Sequence, residues 1–362
     1  MNRPATAAEP AAVPLTVPAP ALEAFIARVL TAARLPPADA QQVALLMTRA
    51  DLTGADGHGV FRLPQYVRRI RAGGLNVRPE IRIARESTAS AVLDGDNGMG
   101  HLVMKRAAEL AIDKAVAHGI GWVGAFRSNH AGPAALYADL AAERGLVGIY
   151  LAVGSANHMA PWGSIEALLS TNPIAIAVPS RRHGTLLLDM ATTVAAYGKV
   201  KIAAQRGQAM PEGWMIDGQG RPLTDPARAK EGTLLPIGGY KGYGLSLMIG
   251  LLAGTLNGAA MGSEVVDFNA DDRTETNTGQ AVAVLDPKAF CDPETFRDDV
   301  DRIVDELHAA EKLPGVDRIR VPGEGRAETR RQREGSGIPM PAELHAALQK
   351  LADELGVPAL ED

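Results

Sequence analysis

The chain has 362 residues, 46% hydrophobic and 22% charged, with one cysteine and a formal net charge of -5. A single core stops growing at roughly 250 to 300 residues, so two lobes with a cleft between them are expected. The acidic balance removes any electrostatic reason for nucleic acid or an anionic membrane as partner, and the lone Cys291 excludes an internal disulfide and a cysteine zinc site and fits a reducing, cytoplasmic compartment.

Residues 1–20 are rich in Ala and Pro but have neither a basic start nor an apolar stretch fit for a signal peptide, and are read as a flexible tail. Between residues 20 and 54 the apolar positions Leu22, Phe25, Ile26, Val29 and Leu30, then Val43, Leu46 and Met47, predict two helices separated by Pro36 and Pro37. Residues 57–74 begin as a glycine-flanked turn and become a helix that Gly73 and Gly74 end. Short extended runs at 81–84 and 90–93, a glycine-rich turn at 94–100 and a helix over 102–117 follow.

From there strand and helix alternate. Strands are expected at 121–126, 147–153, 174–178, 186–190 and 280–285, and helices at 133–144 and 199–205. The apolar run 245–256, broken by Ser246, Gly250, Gly254 and Thr255, is too short for a bilayer span of about 20 residues and reads as part of a buried core helix over 242–257. Helices over 292–313 and 341–355 flank a loop at 320–326, and Arg330, Arg331 and Arg333 read as a solvated helix face. Helical ends around a mixed middle suggest one lobe made from both ends of the chain and a second inserted between them.

Four constellations have chemical content. In Asp56-Gly57-His58-Gly59-Val60-Phe61-Arg62, glycines let backbone and ligand come close to His58, and Arg62 can present two donors to a carboxylate; Tyr66 shares their face if the turn is helical. The same spacing also suits an ordinary surface pair. Ser128-Asn129-His130-Ala131-Gly132-Pro133 sits where a strand gives way to a helix, the place where ligands gather in α/β proteins; a histidine that merely caps the helix fits equally. Residues 157–163, 170–173 and 189–193 place small polar side chains beside apolar runs, for a nicotinamide or ribose, or simply as turns. Gly238-Gly239-Tyr240-Lys241-Gly242 opens a helix with backbone N–H groups and an ammonium suited to a phosphate. No Walker A loop, Gly-x-Gly-x-x-Gly fingerprint, His-x-x-x-His pair or Gly-x-Ser-x-Gly elbow occurs, so an ordinary Rossmann domain, a metal site and a serine hydrolase are disfavoured.

Together these motifs resemble the type-2 malate/L-lactate dehydrogenase family, whose signatures match in order at 51–66, 128–132, 170–179, 188–199 and 241–245. The resemblance implies a non-Rossmann α/β fold: a mixed-sheet lobe binding NAD or NADP (91–289), inserted in a mainly helical lobe with substrate and dimer contacts (21–90 plus 290–362). It implies a cytoplasmic homodimer without nucleic-acid or membrane partners that moves a hydride between NAD(P) and C2 of a small L-2-hydroxy or 2-oxo carboxylate such as malate or lactate. Carried over by position, His130 is the acid/base, His58 its neighbour at the substrate and Arg62 the carboxylate clamp, with Thr171 and Gly279 beside substrate or nicotinamide. The cofactor contacts are Ala131, Gly132, Pro133, Ala134, Ala135, Asp189, Met190, Ala191, Lys241, Arg320, Pro322, Gly323, Glu324 and Arg326. Gly57 stands where many members carry serine, which shifts the acid/base role toward His130. The rival readings are reduction of a cyclic imine or larger keto acid (piperideine-2-carboxylate, diketogulonate or ureidoglycolate type), and a ligand-binding homologue that has lost catalysis.

Overall fold

The computed structural model describes residues 15–205 and 207–361. Within the segment expected as a tail, residues 1–14 lie outside the described residues, whereas β1 (Leu15–Val17) and the start of α1 (Ala19–Ala32) are regular structure. α1 and α2 (Pro37–Leu52) each carry proline in the first turn, where its missing N–H costs no hydrogen bond. Two 3-10 turns, Asp56–His58 and Val60–Arg62, lead into α3 (Leu63–Ala72), which Gly73 closes in the left-handed conformation.

Then come β2 (Arg82–Glu86), β3 (Ser90–Gly98), α4 (Gly100–His118), β4 (Ile120–Ser128), α5 (Ala135–Ala142), β5 (Val147–Ala152), β6 (Ile174–Pro179), β7 (Thr185–Met190) and α6 (Tyr197–Gln205). β8 (Met215–Asp217), β9 (Gly232–Leu234), α7 (Tyr240–Ala253), β10 (Gln280–Leu285), α8 (Pro293–Ala309), α9 (Glu324–Ser336), β11 (Ile338–Met340) and α10 (Ala342–Leu355) complete the chain.

The main sheet has seven strands in the order β2-β3-β4-β10-β5-β6-β7, and only the β3–β4 pair is parallel. β10, Gln-Ala-Val-Ala-Val-Leu, is buried along almost its whole length, as befits a central strand covered on both faces. One hydrophobic core packs α4 and α5 on this sheet; a second gathers α1, α2, α3 and α10, so both chain ends build the helical layer. β1 and β11 pair antiparallel and join those ends.

Four expectations are corrected. Residues 94–98 continue β3 instead of turning, because Asp94 and Asp96 are held in the sheet by Arg127 (3.1 and 3.2 Å). The loop expected through Arg326 ends at Glu324, where α9 begins, Gly323 taking the left-handed cap position. α8 stops at Ala309, short of Leu313. α7 is not a wholly buried helix: Leu245, Met248, Leu251 and Leu252 are exposed on one side, while Ile249 and Ala253 pack on β5.

Candidate functional site

β4 ends at Ser128, and Ser128 and Asn129 are held by β3, by β10 and by the loop that precedes β10. Ser128 Oγ donates to Gln280 Oε1 (2.7 Å), Asn129 Nδ2 donates to Asn97 Oδ1 (2.7 Å), and Thr276 Oγ1 donates to Asn129 Oδ1 (2.8 Å). With every polar atom of Asn129 engaged, His130 leaves the sheet in one fixed direction.

Its ring is flanked by His58, with centroids 5.6 Å apart and planes 12° from parallel, and by Phe268 at 5.5 Å and 23°. Tyr66 Oη lies 2.7 Å from His130 Nδ1, and the Gly132 N–H, 3.3 Å from the same nitrogen, donates to it when the ring proton sits on Nε2. Arg62 Nε donates to Gly57 O (2.9 Å), and Nη1 donates to Gln65 Oε1 (2.8 Å) and Asn269 Oδ1 (3.3 Å). Residues 58, 62, 66, 130 and 268 thus meet although they come from distant parts of the chain. The helical turn is broken at Gly59, yet His58 and Tyr66 both reach His130.

Burial is the main electrostatic influence. It lowers His58 to about 4, with help from Arg62 and Arg326, and pushes His130 well below the ordinary histidine range, with help from Arg62, His58 and His101. Both imidazoles are therefore neutral bases at neutral pH. Tyr66 is pushed up by burial, so its phenol keeps its proton.

The turn carrying His58 and Arg62 is anchored from below. Asp51, buried on α2, accepts the Val60 N–H at Oδ2 (2.8 Å), and burial raises its carboxyl to about 8. A Cβ on Gly59 would lie 2.0 Å from Asp51 Oδ1, so only glycine lets the turn pass this close.

Sequence reasoning missed His101. It is fully buried on α4, stands edge-on to Tyr66 (5.7 Å, 84°), and has no hydrogen bond at either ring nitrogen among the described residues. Burial, then His58, lowers it to about 3. The available signal was Gly100-His101 at the end of a glycine-rich strand, opposite the Gly132 that follows His130: a Cβ on Gly132 would lie 3.0 Å from His101 Nε2.

The remaining singled-out residues fall into three groups. Ala131 to Ala135 follow His130 directly, and Asp189 at the end of β7 pairs with Arg326 (3.0 Å), which also donates to Thr53 Oγ1 (3.0 Å). Gly323, φ +102, lies so close to β7 that a Cβ would sit 2.8 Å from Leu187 N, and the Leu187 N–H donates to Pro322 O (3.0 Å). The chain after Met190 and Ala191 is tied to Thr171 through Thr192 N–H (2.9 Å) and to the glycine turn before Lys241 through Ile237 N–H to Thr192 O (3.0 Å). Lys241 is exposed at the start of α7, and Gly279 packs on Ala253 of the same helix. Arg320 and Glu324 instead pair with Glu328 (3.7 Å) and His308 (2.6 Å). Ser170 and Asn172 serve as internal ties, to Ala156 O (2.6 Å) and Ser246 O (2.9 Å). Two surface hollows, of about 380 and 290 Å³, are lined by none of the three clustered histidines.

Residues 17–349 match the family model described as malate/L-lactate dehydrogenase. The chain belongs to that family. It is 39% identical over 354 residues to a malate dehydrogenase of Pyrococcus horikoshii, covering 96% of this chain and 97% of that one. It is 36% identical to a ureidoglycolate dehydrogenase of Escherichia coli O157:H7, over 90% and 93% of the two chains. The solved sulfolactate dehydrogenase of Methanocaldococcus jannaschii superposes with a TM-score of 0.89 at 37% identity, over 95% and 98%. The mixed-sheet α/β fold is therefore that of the malate/L-lactate dehydrogenase family, and no helix among the described residues is long and apolar enough to cross a membrane. At Gly57, where a family serine is expected, a Cβ would meet nothing within 4 Å.

Proposed function

We propose that the chain is an NAD(P)-dependent oxidoreductase interconverting a small L-2-hydroxy carboxylate and its 2-oxo acid. The observation that carries this reading is the convergence of two neutral imidazoles, His58 and His130, with the Arg62 guanidinium, although 72 positions separate His58 from His130. Dehydrogenase relatives acting, by their names, on malate, sulfolactate and ureidoglycolate support it.

In the oxidative direction His130 Nε2 accepts the substrate hydroxyl proton, and the imidazolium donates Nδ1–H to Tyr66 Oη. In reverse the imidazolium polarises and protonates the 2-oxo oxygen. His58 adds a second polar group at that oxygen, and Arg62 holds the carboxylate through Nη2 and, by exchanging its Asn269 bond, Nη1, fixing the face that C2 presents. The nicotinamide, when bound, supplies or accepts the hydride.

The residues on hand suit such a dinucleotide. Arg326 Nε is buried without a hydrogen-bond partner among the described residues, Lys241 stands exposed at a helix start, and the Ala131 to Ala135 segment leads from His130 into the start of α5. Met190, Ala191, Pro322 and Gly323 would line the groove, with Thr171 and Gly279 at the substrate end; Arg320 and Glu324 would reach it by exchanging their present ion-pair partners. The site then lies between the lobe of residues 21–90 plus 290–362 and the lobe of residues 91–289, in a cytoplasmic homodimer.

The test is His130→Ala. Turnover should fall by roughly a hundredfold or more, the size of lost acid/base catalysis, while NADH or NADPH binding, followed by fluorescence, persists. Near-normal turnover with pyruvate or oxaloacetate would remove His130 from the chemistry.

A further inference from the structure

Within electrostatic reach of Arg62 is a cluster that the proposed chemistry does not use. His158 and Tyr197 are stacked face to face, centroids 4.1 Å apart and planes 2° from parallel, and Lys201, one helical turn beyond Tyr197 on α6, holds Nζ 5.7 Å from the Tyr197 ring centroid. The stack fixes Tyr197, and Tyr197 in turn guides the lysine stem.

The link to the catalytic groups is the segment Asp267-Phe268-Asn269. Phe268 stacks on His130, Asn269 Oδ1 accepts from Arg62, and Asp267 Oδ1 accepts the Asn269 N–H (2.7 Å). Asp267 also raises the proton affinity of both Lys201 and His158, while Arg62 lowers it. Two cationic side chains, Arg62 and Lys201, thus lie within electrostatic reach of one another, and the Asp267 carboxylate within reach of Lys201. Burial, then Arg62, lowers the proton affinity of Lys201, whereas His158 is held near 4 and is neutral. An ammonium so placed gains from any further anion brought beside it.

Resting on the 2-hydroxy acid reading above, we propose that Lys201, backed by the His158–Tyr197 stack, is a second anion subsite that holds a carboxylate or sulfonate at the far end of the substrate. Arg62 takes the carboxylate beside C2, and Lys201 takes the distal group, with Asp267 as its counter-ion when no substrate is bound. The chain is then selective for dianionic 2-hydroxy and 2-oxo acids over those with an apolar or neutral tail. Selectivity resides in α6, outside the acid/base machinery.

The test compares oxaloacetate with 2-oxobutyrate, equal in carbon count and differing in the distal carboxylate. The wild-type protein should favour oxaloacetate in kcat/KM by tenfold or more. Lys201→Ala should reduce that ratio by roughly tenfold to a hundredfold, the worth of one charge-assisted hydrogen bond, and Lys201→Arg should retain most of it. Rising ionic strength should shrink the wild-type ratio. Reduction of 2-oxobutyrate with no preference for oxaloacetate, or a ratio that Lys201→Ala leaves unchanged, overturns the subsite and leaves the dehydrogenase reading standing. Reduction of neither acid with either cofactor overturns both.

Discussion

Replacing Tyr66 by phenylalanine isolates one hydrogen bond. The ring stays, so its packing against Phe268 (6.3 Å) and His101 (5.7 Å) persists; only the 2.7 Å contact to His130 Nδ1 is lost. In the wild-type protein the hydroxyl can accept Nδ1–H, which leaves Nε2 free to take the substrate proton and steadies the imidazolium that follows. Without it, the remaining neighbour of Nδ1 is the Gly132 N–H, a donor, which favours the tautomer with its proton on Nε2. A hydrogen bond to a charged group is worth about 1.5 to 3 kcal/mol, and about 1.4 kcal/mol is a factor of ten in rate. Oxidation of the hydroxy acid should therefore slow by roughly ten- to a hundredfold. The acid limb of its pH profile should move to lower pH, because the imidazolium has lost its acceptor. Steady-state oxidation from pH 3.5 to 9, with the thermal midpoint at each pH as a control for folding, measures both. A variant that keeps the wild-type midpoint, turns over within threefold of the wild type and retains its pH profile would refute the role of Tyr66.

Stability should depend on pH through His101. Its folded value of about 3 lies below the unfolded 6.5, so the unfolded chain binds the extra proton as pH falls below 6.5, and the contribution present above that pH is lost on acidification. Asp51, raised to about 8, acts in the opposite sense, so the informative quantity is a difference: His101→Gln should flatten the dependence of unfolding free energy between pH 6.5 and 4 by up to about 1.4 kcal/mol per pH unit. Parallel slopes in urea titrations would exclude His101 as the source. At the two glycines beside His58 the expectations diverge. Gly57→Ser meets open space and should leave stability within about 0.5 kcal/mol and turnover within threefold, whereas Gly59→Ala drives a methyl into the Asp51 carboxylate and should cost about 3 kcal/mol or more with loss of activity. Equal tolerance of both would contradict the close approach described here.

Much of this was legible because burial leaves a period in the sequence. The stripe from Leu22 to Leu30 and the run Gln280–Leu285 announced a helix and a strand, glycine flanking drew attention to His58, and the passage from strand to helix drew it to His130. What stayed hidden depends on partners remote in the chain. Residues 94–98 look like a turn because they are polar and glycine-rich, and Asp96 and Asn97 do take positive φ, yet Arg127 and Asn129 hold them in the sheet. Strands of three residues, such as β1 and β11, are too short to show alternation. The apolar run of α7 announces a helix but neither its end at Ala253, four residues before the expected Asn257, nor which side meets solvent. The only local sign at His101 is the glycine before it, since its neighbours Tyr66 and Gly132 are set by the tertiary arrangement, and the His158–Tyr197 stack joins a loop to a helix nearly forty positions later.

The placement of β10 has a consequence for how the protein is made. This strand pairs with β4 on one side and β5 on the other, yet it lies more than 120 positions after both in the chain. During synthesis the halves of the sheet emerge first with facing edges unpaired, an adhesive surface awaiting its wedge. Closure is a late, long-range event, which makes refolding slow and places the hazard of aggregation in the interval before residues 280–285 arrive.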